Sequence, residues 1–328
     1  MLAKALLKSR PIELFALALL LAVGLLCIYS PTHLPRWGAN HAPQIMLTYF
    51  GLGIVFFMMN KPRFTFTSFA CCAMLCLFLK QSTHGQQLRY AVPTDQPELK
   101  IAHFNANNFD VDLDNMLELF RDMDLDLLSI QGLDPMLEMV LQEELSKEYP
   151  HQYSVPSLSY YGMAVLSKHA FTAKQFNYGE MPNIFGELHV QGFGKAYFVS
   201  THTVPALTST DYMRNQEHLE IVSHQCNALD APLIALGDYH LVPWSPEIRT
   251  FRTNTALNDS RIGFAPSFID GKVNFLDVPQ DHIFYSDHFK CTSFSILSTS
   301  ESPHMGIVGT FEFLQEGESL TDASLYHQ

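Results

Sequence analysis

Basic residues are scarce over most of this chain. Residues 97–328 hold twelve Lys/Arg against thirty-one Asp/Glu, a net of −19, while residues 1–96 hold eight against two, a net of +6; the two sum to the −13 of the 328-residue whole. A segment so acidic repels the phosphate backbone that nucleic-acid binders must neutralise, so long DNA or RNA is not an expected partner. No Cys-x-x-Cys pair is present, which excludes the common structural zinc patterns. Four of the six cysteines (Cys27, Cys71, Cys72, Cys76) lie in apolar runs, where the thiol behaves as a small apolar group. Cys226 and Cys291 remain; they could pair in an oxidising compartment, and spacing does not decide it. There is no internal repeat and no low-complexity segment.

The first 80 residues lack a polar face. Ile12–Tyr29 is apolar apart from Glu13, and Ile45–Met59 and Phe64–Leu79 are two further apolar runs. Buried soluble helices would alternate with polar residues. The first run is also too long for a signal peptide, and no small-x-small cleavage site follows it. Three membrane helices are therefore expected, at about 12–29, 43–59 and 64–80. The last two should form an antiparallel hairpin across the tight link Asn60-Lys61-Pro62-Arg63. Lys4, Lys8, Arg10, Lys61 and Arg63 fall on one side of these spans, and Arg36, Lys80 and Arg89 on the other. This bias places the N-terminus in the cytoplasm and, after three crossings, everything beyond Lys80 outside it. Residues 81–96 read as a linker, 97–314 as one large domain and 315–328 as an acidic tail.

Within the domain, alternating segments at Lys100–Phe104, Leu127–Gln131, Gly162–Ser167, Phe171–Phe176, Phe185–Val190, Lys195–Thr201, Pro232–Gly237, Asp281–Ser286, Lys290–Leu297 and Gly306–Phe313 read as strands. Helical spacing occupies Leu113–Arg121, Pro135–Leu145, Asp211–Leu229 and the stretch after Pro243-Trp244-Ser245-Pro246. Strands in hairpins with helices between them predict an α/β fold of two sheets packed face to face and covered by helices. Polar groups stand at several strand ends: Asn105, His202, Asp238 with His240, Asp281 with His282, and His304. Asp238 and His240, two apart, would share a face in extended backbone. Singly, each could be a turn or cap residue; together, at strand ends, they favour a site.

The order of these pieces carries a resemblance. Ile101-Ala102-His103-Phe104-Asn105, Asp126-Leu127-Leu128-Ser129-Ile130-Gln131, Tyr161 through Ser167, Ser200-Thr201-His202, Leu236-Gly237-Asp238, Pro243-Trp244-Ser245-Pro246 and Asp281-His282-Ile283-Phe284 follow one another as in the endonuclease/exonuclease/phosphatase superfamily, the DNase I-like phosphoesterases. The apolar N-terminus and the Pro-Trp-Ser-Pro segment resemble its membrane-anchored bacterial branch. The resemblance implies a four-layer α-β-β-α sandwich behind three transmembrane helices. It also implies a domain outside the bacterial inner membrane and hydrolysis of phosphoesters with a divalent cation, Mg²⁺ or Mn²⁺. Carried over by position, Asn105 would be a metal-site amide and Asp238 would position the attacking water and touch the metal. His202 would contact the phosphate or leaving group, Asp281 would orient His304, and His304 would contact the phosphate.

The chain departs from the family at three places. The glutamate that follows the second strand is Gly132, the asparagine of Gly-Asp-x-Asn is His240, and the Ser-Asp-His motif reads Ser302-Pro303-His304. Both lost carboxylates are hard-oxygen ligands that Mg²⁺ prefers. Either Asp134 replaces Gly132; or His202, His240 and His304 with Asp238 hold a transition metal such as Zn²⁺; or no cation is bound. In the last case catalysis is weak or lost, and the domain binds a small phosphoester, a lipid headgroup or a protein partner, with His202, His240 and His304 meeting the phosphate.

Overall fold

In the computed structural model, residues 2–29, 38–83, 89–94, 96–106, 113–264, 266–267, 278–297 and 306–314 are described. Pro303, His304 and the tail 315–328 lie outside the described residues. The chain divides into two compact units, Met1–Thr83 and His84–Gln328.

Among its described residues, the first unit includes the helices α1 (Leu2–Ile28), α2 (Ala42–Met58) and α3 (Pro62–Thr83). Arg10–Ile28 and Pro62–Thr83 are long and apolar enough to cross a membrane, with mean hydropathies of 2.5 and 1.5. The second expected span falls short of that: α2 is apolar but has 17 residues. It reaches about 25 Å against a hydrocarbon core of roughly 30 Å. The hairpin is present, since Phe56 meets Phe64 at 5.1 Å and Phe50 meets Phe69 at 6.0 Å between ring centroids, an antiparallel register. The Tyr49 hydroxyl donates to the Leu20 carbonyl and ties α2 to α1. Phe15, Phe57 and Phe66 point outward at 70–76% exposure, an apolar surface that a water-soluble bundle would bury.

The second unit holds two six-stranded sheets. One runs β11-β12-β1-β2-β4-β3, the other β5-β6-β7-β8-β10-β9. The strands are β1 (Glu98–Asn105), β2 (Leu127–Gln131), β3 (His151–Val155), β4 (Met163–Ser167), β5 (Phe171–Tyr178), β6 (Met181–Val190), β7 (Gly194–His202), β8 (Leu233–Asp238), β9 (Asn258–Asp259), β10 (Asp281–Tyr285), β11 (Phe289–Leu297) and β12 (Gly306–Phe313). The helices are α4 (Leu113–Asp122), α5 (Pro135–Glu144), α6 (Ser209–Asn227) and α7 (Pro246–Thr255).

Alternation along the strands makes the layers. Leu99 and Ile101 of β1 join Val165, Ile184, Phe198, Leu236, Ile283 and Phe311 between the sheets. Ala102 and Phe104 turn the other way, onto Met116, Phe120 and Leu141 of α4 and α5. Val199, Ala235 and Phe284 back onto Leu219, Val222 and Phe251 of α6 and α7. The order is thus helices, sheet, sheet, helices, as expected. β3 was not expected: Tyr153 and Val155 alternate with Gln152 and Ser154 and pack against the core between the sheets, but the run is only five residues long and half-buried at a sheet edge.

Helix starts follow local chemistry. Thr208 and Asp211 form a reciprocal capping box ahead of α6, and Ser245 caps α7 with Pro246 in the first turn. Thr94, in the predicted linker, donates from its amide to Glu312 at 2.7 Å, and Glu312 also pairs with buried Lys290 at 2.8 Å.

Gly237 of β8 is pressed between its sheet neighbour Thr201 and Gln131 of the other sheet. Its φ is +145°, and a Cβ there would lie 1.8 Å from the Thr201 carbonyl oxygen and 2.8 Å from Gln131 Nε2. Gly237→Ala is expected to cost roughly 2–5 kcal/mol, from overpacking and backbone strain together. Urea unfolding of the purified protein measures it; an unchanged midpoint would contradict this packing.

Candidate functional site

Parallel β1 and β2 end at Asn105 and Gln131, and parallel β7 and β8 end at His202 and Asp238. Antiparallel β4, β10 and β12 begin beside them, with Met163 opposite Gln131, Asp281 opposite Asp238 and Ile307 opposite His103. All these ends open on one mouth of the sandwich.

Asp238 is its centre and is fully buried. Asn105 Nδ2 donates to Asp238 Oδ2 at 3.1 Å, and the His240 amide donates to Oδ1 at 2.8 Å. His240 Nδ1 lies 3.4 Å from the same oxygen. The His202 and His240 rings are parallel within 3°, 5.2 Å apart, and Tyr161 meets His202 edge-on at 5.3 Å. One ligand atom from each of His202, Asp238 and His240 lies within 4.8 Å of the others. The meeting of Asp238 with His240 comes from a turn and not from strand alternation. β8 stops at Asp238, and His240 has φ +51°, a left-handed conformation in which Asn, Asp and His are enriched.

Asp281 faces the same gap. Its Oδ1 is 3.2 Å from His103 Nε2; His103 Nδ1 is 3.4 Å from Ser129 Oγ, itself 2.8 Å from Ser200 Oγ. Two β1 residues on one face, His103 and Asn105, thus each meet one of two cross-strand carboxylates. The motifs passed over His103, although its position two before Asn105 on a strand was the available signal. His304, the partner the family resemblance assigns to Asp281, lies outside the described residues.

His282 does not converge on the mouth. Alternation turns it to the helix side, with Nδ1 3.1 Å from Asp259 Oδ2 and Nε2 2.8 Å from the Leu241 carbonyl. Burial works to raise the Asp259 carboxyl, but the His282 hydrogen bond and the charges of His282, Arg252 and Arg261 outweigh it and hold it below the usual range.

Asp134, the candidate replacement for the missing glutamate, has a local role in the structure. It caps α5, accepting from the Leu137 amide at 2.7 Å. Gly132 sits at φ +73°, so a side chain there would meet backbone strain. Gln131 is occupied as well: its Nε2 donates to the Thr201 carbonyl at 2.6 Å, and its Oε1 accepts from the Asp238 amide at 3.1 Å.

Behind His202, buried Asn215 of α6 donates to Thr203 Oγ1 and to the carbonyls of Val204 and Tyr239 at 2.8–3.2 Å. It thereby ties the loop after β7 to the loop carrying His240. Cys226 and Cys291 are both free and buried, one on the helix side of the second sheet and one between the sheets. They do not pair, and burial pushes each thiol up to about 12.

The donor set fits some ions and not others. Among the described residues, the oxygen donors at the mouth are the Asp238 carboxylate, the Asn105 amide and the cross-strand Asp281 carboxylate, which is held by His103. Two imidazoles and a carboxylate suit Zn²⁺ and its neighbours.

Residues 102–304 match the Endonuclease/Exonuclease/phosphatase family, and the chain belongs to it. No curated protein matches the chain by sequence. An endonuclease/exonuclease/phosphatase from Bacteroides vulgatus is similar in structure, with 16% identity, a TM-score of 0.57, and coverage of 67% of this chain and 100% of that one. D. rerio TDP2 complexed with single strand DNA product has 16% identity and a TM-score of 0.52, covering 66% and 99%. Staphylococcus aureus beta toxin has 15% identity and a TM-score of 0.51, covering 64% and 99%. At these identities the likeness establishes the fold.

One buried histidine beside the mouth makes a prediction. His218 stacks on Tyr178, and its Nε2 lies 2.8 Å from Asn183 Oδ1, which also accepts from Thr201 Oγ1. Burial pushes His218 down from 6.5 to about 4. Because the folded value is the lower one, its contribution is whole above pH 6.5 and is lost as pH falls through the window from 6.5 to 4. About 3 kcal/mol is at stake. Urea unfolding of parent and His218→Asn at pH 7 and pH 4.5 should show the variant losing less stability on acidification; equal losses would refute it.

Proposed function

We propose that this family member is membrane-anchored, binds a small phosphoester at the mouth, and does not hydrolyse it with Mg²⁺. The observation that carries this is the altered donor set at Asp238, with Gly132 left-handed, Asp134 used as a helix cap, and His202 and His240 turned toward the carboxylate. Imidazoles and the Asn105 amide provide hydrogen-bond donors for phosphoryl oxygens, and Asp281 with His103 adds a fixed carboxylate beside them. His304 joins this set by family position alone.

A Zn²⁺-class ion held by His202, Asp238 and His240 would supply Lewis acidity toward a phosphoryl oxygen. That convergence favours a second reading, in which the domain is a phosphodiesterase or phosphatase using this histidine-rich site. Nucleic acid is disfavoured even though D. rerio TDP2 is described with a DNA product, because residues 97–328 carry −19.

The anchor is read as three crossings. α2 and α3 pack as an antiparallel hairpin, so a bilayer that admits α3 also admits its partner, and a short span is accommodated by local thinning. With the basic bias of the N-terminus this puts the domain outside the cytoplasmic membrane of a bacterium. A C-terminal alkaline phosphatase fusion should therefore be active and a green fluorescent protein fusion dark; the reverse pattern would mean two crossings.

The site is tested on the full chain in detergent, stripped of metal, with inorganic phosphate and a chromogenic phosphodiester. Phosphate binding should weaken at least about tenfold in His202→Ala and His240→Ala, the loss of a charge-assisted contact. Mg²⁺ should give no turnover. Mg²⁺-dependent turnover abolished by Asp238→Ala would overturn the proposal, and the same result with Zn²⁺ or Mn²⁺ alone would establish the second reading.

A further inference from the structure

Large apolar side chains exposed on the second unit are unevenly placed. Among the described residues there are nine, and six of them (Met136, Met139, Leu158, Tyr160, Leu207 and Met213) stand on three segments at the mouth. Leu158 and Leu207 are the most exposed, at 88% and 79%. The opposite end instead presents charge, such as Asp124 at the entry to β2, paired with Lys168.

The three segments are neighbours. The Ser157 amide donates to the Leu133 carbonyl and the Leu133 amide to the Gly162 carbonyl, at 2.9 and 3.0 Å, which holds the β3–β4 loop against the start of α5. Tyr161 of that loop touches His202. Burial pushes its hydroxyl up, and it also feels the charges of Arg214 and Asp211 in the first turns of α6. The apolar residues therefore border one side of the site.

Soluble domains seldom leave large apolar patches uncovered, and such patches mark partner or membrane surfaces. A bilayer is the occupant favoured here. The chain carries two helices long enough to cross a membrane, and only fourteen residues separate Thr83 from Glu98, a span of at most about 50 Å. Leu and Met enter the acyl boundary, and Tyr prefers the headgroup level. The −19 of residues 97–328 opposes an anionic surface, which leaves zwitterionic phospholipid.

We infer that the apolar rim docks on a zwitterionic bilayer, and that the phosphoester taken at the mouth is the headgroup of a lipid in it. The second clause rests on the reading of the mouth as a phosphoester site; the first does not.

Only Trp37 and Trp244 are present as tryptophans, and Trp244 is buried, so an added tryptophan is a clean reporter. In a Trp37→Phe background, Leu158→Trp, Leu207→Trp and, as a control, Asp124→Trp would be placed in phosphatidylcholine nanodiscs with plain or brominated acyl chains. Brominated lipid should remove most of the added emission at 158 and 207 and leave that at 124 unchanged. Undiminished emission at 158 and 207 would overturn the docking, as would self-association that shields those positions in plain and brominated discs alike.

For the headgroup, inorganic phosphate binding is compared between detergent and phosphatidylcholine discs. Competition should weaken it in discs for the parent, and the double variant Leu158→Asp/Leu207→Asp should restore it. Equal binding by the parent in both media would overturn the headgroup assignment. Quenching in a protein that binds no phosphate in either medium would uphold the docking and refute the phosphoester reading of the mouth.

Discussion

A fully buried carboxylate sits where two sheets meet, and the mouth is organised by the need to satisfy it. Asp238 accepts from Asn105 across the sheets and from the His240 amide in its own turn, while its backbone amide is held by Gln131. An uncompensated buried charge costs far more than any one of these bonds yields. The sheets therefore cannot slide or part at this end without exposing that cost. Gly237 leaves room for the Gln131 amide of the other sheet, because a Cβ there would meet both that amide and the Thr201 carbonyl of its own sheet. Asn215 extends the same constraint into the helix layer by bonding the loops that follow β7 and β8.

The same arrangement separates two like charges. Asp238 and Asp281 are cross-strand partners, a pairing that would repel if both faced one cavity unpartnered. β1 resolves this with alternate residues of one face: Asn105 meets one carboxylate and His103 the other. The outward-facing His282 and Asp259 then hold the Leu241 carbonyl from behind, fixing the far side of the turn that carries His240. Much of this polar machinery positions a single short loop.

The layers were legible in the sequence because alternation and apolar runs report which face of a strand is buried. Leu127–Gln131 and Lys290–Leu297 could be read this way, whereas His151–Val155, a short edge strand whose only apolar residues are Tyr153 and Val155, did not stand out. Strand-end motifs located Asn105, His202, Asp238 and Asp281, yet not what each side chain does. Asp134 looked like a displaced ligand, but its place before Pro135 makes it a helix cap, a local demand that outweighs a distant one. His282 looked like a site residue until the alternation set by Asp281 sent it outward. Of the three apolar runs, α2 shows the limit of composition: hydropathy marks it as a membrane segment, but its 17 residues leave length undecided, and the hairpin with α3 argues for its crossing.

Backbone conformation distinguishes two positions, 132 and 240, at which the chain departs from the family motifs. At 240 the chain is left-handed, a state that Asn adopts readily and His tolerates. Exchanging one for the other keeps the turn and the bond from its amide to Asp238, and replaces an amide oxygen with an imidazole nitrogen. At 132 the chain is also left-handed, but there the residue is glycine and the next step leads straight into the Asp134 cap. Glutamate at 132 would meet that strained backbone, so regaining a hard-oxygen ligand would require the β2–α5 turn to rebuild as well as a side chain to return. The glycine at 132 is thus held in place by the fold. At 240 the left-handed turn already holds an imidazole against the Asp238 carboxylate, so the two positions differ in what the backbone would let a side chain do.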